Sequence, residues 1–228
     1  MSNNATLTLR VLARLLSYPD AELRAHLGEL QAALASERAL GAARQAELEA
    51  LMRSLTVRDP IEVEADYVQL FDRGRSTSLH LFEHVHGDSR DRGPAMIDLA
   101  QTYEKAGLYL AEGELPDYLP VVLEFVSTQP AKEAKAFLGE MTHILQAIFS
   151  ALLKRESPYA SVLGALLEIA GERAQAVKVA EEQPLDDSWE EPVAFGGCST
   201  EGQAKPGQPQ PIRIVKNEAQ RRNVAQGV

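Results

Sequence analysis

The stretch LHLFEHVHGD, Leu79 to Asp88, holds three histidines and a glutamate within seven positions. His80, Glu83 and His84 spell H-x-x-E-H, the inverted zinc-protease pattern, in which two histidines on one helix face ligate the metal and the glutamate acts as base. Positions four apart on a helix share a face, so the spacing permits this chemistry. Such a site needs a third ligand, and the other histidines, His26 and His143, stand far away with no motif around them. Leu79, Leu81, Phe82 and Val85 give the same segment an apolar demand of its own, which predicts a half-buried helix. A zinc hydrolase built on His80, Glu83 and His84 therefore stays as the alternative from the enzyme class, and the expectation for metal is none. His84 and His86 alternate, which a helix does not bring face to face, so their simplest role is hydrogen bonding in or beside the core.

Other catalytic templates are missing. There is no G-x-x-x-x-G-K-[ST] phosphate loop, no G-x-G-x-x-G dinucleotide turn and no G-x-S-x-G elbow. The single cysteine, Cys198, lies in a Gly-, Pro- and Gln-rich region that offers no oriented base. One cysteine also excludes an internal disulfide, as expected in a reducing compartment. The opening MSNNATLTLR lacks a cationic start followed by an apolar stretch, and no apolar run approaches the roughly 18 residues of a membrane span. A cytoplasmic location is expected, without membrane insertion.

The elements that must carry these residues read almost wholly as helix. Leu7, Val11, Leu12, Leu15 and Leu16 share one face before Tyr18-Pro19-Asp20 stops the pattern, and Asp20 is placed to cap the next helix, which carries Leu23, Leu27, Leu30 and Leu34. Further helices are predicted over 44–55, 61–71 and 78–85, and around Met96 to Tyr103 with Gly107 as its close. EGELPDYLP, with Pro116 and Pro120, reads as a hinge near 113–120. Helices follow over 121–126, 132–154 and 159–181. The expectation is an all-α chain, one bundle-like domain over 1–182 with eight to ten helices and a mid-chain hinge. The stretch 183–228 has the composition of a mostly disordered tail.

The chain carries a formal net charge of −10 over 228 residues. The last 30 residues hold five basic and two acidic side chains, which leaves −13 on the rest. An acidic body repels nucleic acid and attracts a cationic partner, although surplus acid also simply keeps a protein soluble.

Two long blocks point further. DYVQLFDRGRSTSLHLFEHVHGDSRDRGPAMIDLAQTYEKAGL, Asp66 to Leu108, and ELPDYLPVVLEFVS, Glu114 to Ser127, resemble the signature and hinge motifs of the delta-subunit (NarJ-type) family of nitrate reductase assembly chaperones, within the TorD/DmsD-like molybdoenzyme chaperones. LRVLARLLSYPD and WEEPVAFGG fit the same pattern. His80 departs from it, since that position is usually aliphatic in the family, which makes the H-x-x-E-H string accidental. Tyr118 stands where the wider superfamily often has histidine. The resemblance implies a TorD-like fold and a non-catalytic role with no cofactor of its own. The implied partner is the catalytic (alpha) subunit of respiratory nitrate reductase, bound in its apo form through a basic, amphipathic N-terminal peptide. The chaperone would hold it ready for molybdenum cofactor and iron–sulfur insertion before membrane docking, with transient contact to the cofactor machinery. A chaperone of a different molybdoenzyme is the close alternative.

A basic amphipathic peptide wants an apolar groove with acidic surroundings. Tyr67, Leu70, Phe71 and Phe82 are the expected floor, Asp66, Asp72 and Glu83 the expected field, and His84, His86, Asp117 and Tyr118 further client contacts. Ordinary core is the competing role for each aromatic. Arg73, Arg75, Arg90 and Arg92, beside Asp72, Asp88 and Asp91, are expected to pin two glycine-containing loops or to contact a partner.

Overall fold

The computed structural model describes residues 5–87 and 89–177. Ten α-helices lie in this range: α1 Thr6–Leu16, α2 Ala21–Glu37, α3 Ala42–Val57, α4 Pro60–Tyr67, α5 Leu81–Val85, α6 Arg92–Lys105, α7 Leu119–Thr128, α8 Ala131–Glu140, α9 Thr142–Lys154 and α10 Ala160–Ala170. A π-helical turn, Val68–Asp72, and a 3₁₀ turn, Arg75–Thr77, follow α4. No strand forms among the described residues; an isolated antiparallel bridge pairs His80 with Tyr118. The all-α expectation holds. The chain divides into two units, Met1–Glu182 and Gln183–Val228, and every described residue belongs to the first. The expected tail over 183–228 lies outside the described residues.

The helix starts follow local chemistry. Asp20 accepts from the Leu23 amide at 2.7 Å and so caps α2, as its position predicted. Asp59 accepts from Ile61 N at 2.9 Å, with Pro60 at the first turn of α4. α1 has no side-chain cap of its own; the Glu37 carboxylate at the end of α2 instead accepts from Leu7 N and Thr8 N at 3.1 and 2.6 Å. This pins α1 antiparallel beside α2. Leu9, Val11, Leu12, Leu15 and Leu16 of α1 are buried, the helix packing on α7, α2 and α10, whereas Leu7, expected on the same face, is exposed. In α10, Val162, Leu163, Ala165, Leu166 and Leu167 are all fully buried, as befits a helix apolar on every side.

Four expected helices come out differently. The one over 78–85 starts only at Leu81, because His80 is extended and Leu79 and His80 pair with the hinge, so His80 and His84 do not share a helix face. The one over 132–154 is two, α8 and α9, bent by 66°. The amides of Ile144 and Leu145 both turn to the Met141 carbonyl at the break. The bend lets Ala134 and Leu138 from one piece and Leu145, Ile148 and Leu152 from the other reach the core. The helix expected over 159–181 stops at Ala170, because Gly171 takes φ +86° and Glu172 N bonds back to Leu167 O at 2.9 Å. The helix over 61–71 loses its regular spacing at Val68, where Arg73 N reaches Val68 O at 3.2 Å and closes the wider π loop. No helix among the described residues is long and apolar enough to cross a membrane; α8 and α9 pass by length and composition only as a bent pair.

Candidate functional site

The hinge does not dangle. Leu81 N donates to Asp117 O at 3.0 Å and Leu119 N to Leu79 O at 2.8 Å, so the two signature blocks meet as a short antiparallel rung. Tyr103 Oη donates to Pro116 O at 2.7 Å from the next helix. These bonds carry His80 and Tyr118 to the same side, their rings 5.3 Å apart.

A cleft of about 530 Å³ opens there. Tyr18, Tyr67, Phe71, Leu79, Leu115 and Tyr118 supply its apolar walls, and Asp72, His80, Gly113 and Glu114 complete it. Tyr67 stacks with Phe71 at 4.8 Å and meets Tyr18 edge-on at 5.6 Å. The Tyr67 hydroxyl donates its one proton to Leu16 O at 2.7 Å, which leaves Tyr118 Oη, 3.2 Å away, to donate to Tyr67. Burial pushes the Tyr67 phenol far above its ordinary value and raises that of Tyr118, so both stay protonated donors. The result is a fixed tyrosine floor with acidic side chains, Asp72 and Glu114, at its edge.

Of the residues expected to form a client groove, Tyr67, Phe71, Asp72 and Tyr118 converge on this cleft. Leu70 and Asp66 do not: both face a separate hollow with Leu51, Leu55 and Tyr159, where Asp66 pairs with Arg58 at 2.6 Å. Phe82 is half-buried with its ring edge-on to His86 at 5.4 Å. Glu83 is exposed and pairs with Arg92 at 3.6 Å. His84 Nε2 sits 2.8 Å from Ser78 O, so that nitrogen carries a proton and donates to the carbonyl. No three His, Cys, Asp or Glu side chains among the described residues gather as a metal site.

Asp117, expected among the client contacts, turns its Oδ2 to Phe82 N at 3.1 Å, at the start of α5, and α7 has no side-chain cap. Asp117 is 0% exposed, so its effect on any client is positional. Arg92 Nη2 lies 3.8 Å from that carboxylate, and His80 Nδ1 lies 3.5 Å from Oδ1. The Asp117 carboxylate beside it raises the His80 imidazole above its ordinary value; burial opposes the rise, and the charge of Glu83 supports it. Arg92 thus stands between two carboxylates, Glu83 and Asp117. Arg73 reaches Gln69 at 3.5 Å, Arg75 and Arg90 are exposed, and Asp88 lies outside the described residues.

Tyr18, Leu79, Glu114 and Leu115 are wall residues that sequence reasoning left out of the site. Tyr18 carried a signal: an aromatic just past an apolar helix, at a Pro-Asp stop. Leu115 and Glu114 carried none, since only the rung between Leu79 and Leu119 brings the hinge over the tyrosines.

Comparison with known proteins meets this geometry from outside. A nitrate reductase molybdenum cofactor assembly chaperone, NarJ of Escherichia coli K12, is 44% identical over 193 residues, covering 80% of this chain and 82% of its own. A Bacillus subtilis protein named for the same role is 34% identical over 161 residues, 71% of this chain and 86% of its own. A crystal structure from Archaeoglobus fulgidus, titled as a redox enzyme maturation protein, superposes with a TM-score of 0.51 at 21% identity, over 73% of this chain and 94% of that one, and so supports the fold alone. The family model for the nitrate reductase delta subunit matches residues 18–164, a span that includes α2 to α9 and every wall of the tyrosine cleft, and the chain belongs to that family.

Proposed function

We propose that this chain is a non-catalytic, cytoplasmic chaperone of respiratory nitrate reductase assembly. It takes the N-terminal peptide of the apo catalytic subunit into the tyrosine cleft. Held this way, the subunit remains open to molybdenum cofactor and iron–sulfur insertion, and membrane docking waits until loading is complete. The observation that carries the reading is the cleft's chemistry: a rigid aromatic floor, Tyr67, Phe71 and Tyr118, edged by Asp72 and Glu114. An amphipathic helix buries an apolar face in such a groove while its basic side chains meet the acidic edge.

The test is a titration of the full chain with a synthetic peptide of the catalytic subunit's N-terminus, followed by fluorescence anisotropy. Tyr118→Ala and Asp72→Asn should each weaken binding by about tenfold, equivalent to about 1.4 kcal/mol. Affinity unmoved by both would remove the cleft as the binding site. Tighter binding of a leader from another molybdoenzyme would reassign the client.

A further inference from the structure

A second cleft, of about 440 Å³, lies on the other side of the hinge loop. Glu114 lines both clefts, so the loop forms the ridge between them. Arg10 and Arg14, one helical turn apart on α1, form one wall of the second cleft; Tyr109, Val121 and Phe125 give it an apolar surface. Tyr109 is 80% exposed, a large ring with nothing to cover it among the described residues.

Four arginines elsewhere, Arg24, Arg44, Arg58 and Arg92, each pair with a carboxylate; Arg10 and Arg14 stand together at a cleft, without one. Among the described residues neither Arg10 nor Arg14 has an ion pair, in a chain with 33 acidic side chains. Arg10 Nε donates to Ser127 Oγ at 3.2 Å, which fixes the stem while no carboxylate among the described residues touches the guanidinium. Unpaired guanidiniums beside exposed aromatic surface suit a carboxylate next to an apolar side chain, because the planar fork takes both oxygens while the ring covers the neighbour. Glu114 and Glu124 at the same cleft bring its formal charge to balance, which disfavours a polyphosphate and admits one or two carboxylates.

We infer that this second cleft binds a short acidic and aromatic or aliphatic segment of a protein client. It rests on the chaperone reading only in taking the client to be a protein; the tyrosine cleft receives the basic segment and the arginine cleft an acidic one.

The probe is a fluorescent, end-capped pentapeptide, Leu-Glu-Phe-Glu-Leu, with its Leu-Gln-Phe-Gln-Leu counterpart as control. The full chain should bind the glutamate peptide at least about tenfold more tightly than the glutamine one, about 1.4 kcal/mol. Arg10→Gln/Arg14→Gln should erase the difference, and Arg10→Lys/Arg14→Lys should restore part of it. Thermal melts of all variants establish that they fold, and Arg14→Gln alone, which breaks no hydrogen bond, reads the same loss in smaller measure. Equal binding of the two peptides, no binding of either, or a preference that survives in the glutamine variants overturns the inference. So does displacement of the glutamate peptide by inorganic pyrophosphate that binds more tightly than the peptide itself. The catalytic subunit's basic N-terminal peptide, titrated in parallel, should bind the arginine variants as it binds the unmodified chain. Its failure to bind the unmodified chain counts against the tyrosine cleft alone, whereas its loss only in the arginine variants would overturn the division of labour.

Discussion

Among the described residues, Asp117 is the only carboxylate wholly removed from solvent, and its neighbours set its cost. Asp117→Ala strands the Phe82 amide and leaves His80 and Arg92 facing an empty space. Losing a charge-assisted bond of this kind, with partners that are themselves part-exposed, should destabilise the fold by about 2–3 kcal/mol, more than the roughly 1 kcal/mol of a lost helix cap. Urea unfolding measures it; a change within experimental error would mean the carboxylate is dispensable. His80 adds a pH dependence. Its raised pKa means that the folded chain prefers the protonated imidazole, so this stabilisation is complete below the unfolded value of about 6.5 and fades as pH climbs through the folded one. The groups facing it are Asp117, Glu83 and Arg92, with the Tyr118 ring alongside. Raising the pH from about 6 to about 8 should therefore lower the melting temperature of the unmodified chain more than that of His80→Gln. Parallel curves for the two would show that the imidazole does not couple to folding.

At the scale of elements, the π turn decides which side chains the cleft receives. An unbroken α-helix would keep Leu70 and Phe71 turning in step with Tyr67; the wider loop parts them, Phe71 to the tyrosines and Leu70 to the hollow behind. Gly74 locks the turn. A Cβ there would lie 2.6 Å from Leu70 O and 2.9 Å from Arg155 Nη1, and would strike the Thr77 hydroxyl, which itself bonds to Leu70 O. Gly74→Ala should cost about 1–3 kcal/mol and weaken peptide binding, because backbone must move. Gly164→Ala is the control: the three atoms nearest a Cβ there all belong to the Arg44 guanidinium, a side-chain end that gives way more readily than backbone, and a helix interior gains from alanine. Equal losses in both would refute the distinction. The same turn shows where sequence reading stops. Leu7, Val11, Leu12, Leu15 and Leu16 announce α1, and Asp20 its successor, because caps and apolar spacing are local. The tyrosine cleft was half legible: Tyr67, Phe71, Asp72 and Tyr118 were nameable from their motifs. Its other half depends on a backbone rung between residues about 40 apart in sequence, and on one extra residue in a helical turn, neither of which leaves a periodic mark.

The molecule as a whole contributes its field. Outside its last 30 residues the chain carries −13, and Asp72 and Glu114 stand at the mouth of an apolar cleft, where low-dielectric walls strengthen their reach. A basic peptide approaching this surface gains from every acidic group within about a Debye length, roughly 10 Å at 0.1 M salt and 3 Å at 1 M. Apolar contact with the tyrosine floor has no such dependence and strengthens slightly as salt rises. The two contributions can therefore be separated on one sample. Affinity for the catalytic subunit's N-terminal peptide should fall several-fold between about 50 and 500 mM sodium chloride, mostly through slower association, because steering rather than the docked contacts is screened. Asp72→Asn should flatten part of that slope, and Tyr118→Ala should lower affinity at every salt concentration while leaving the slope as it was. A dissociation constant that stays level or tightens across the range would assign recognition to the aromatic floor alone and reduce the surplus acid to a matter of solubility.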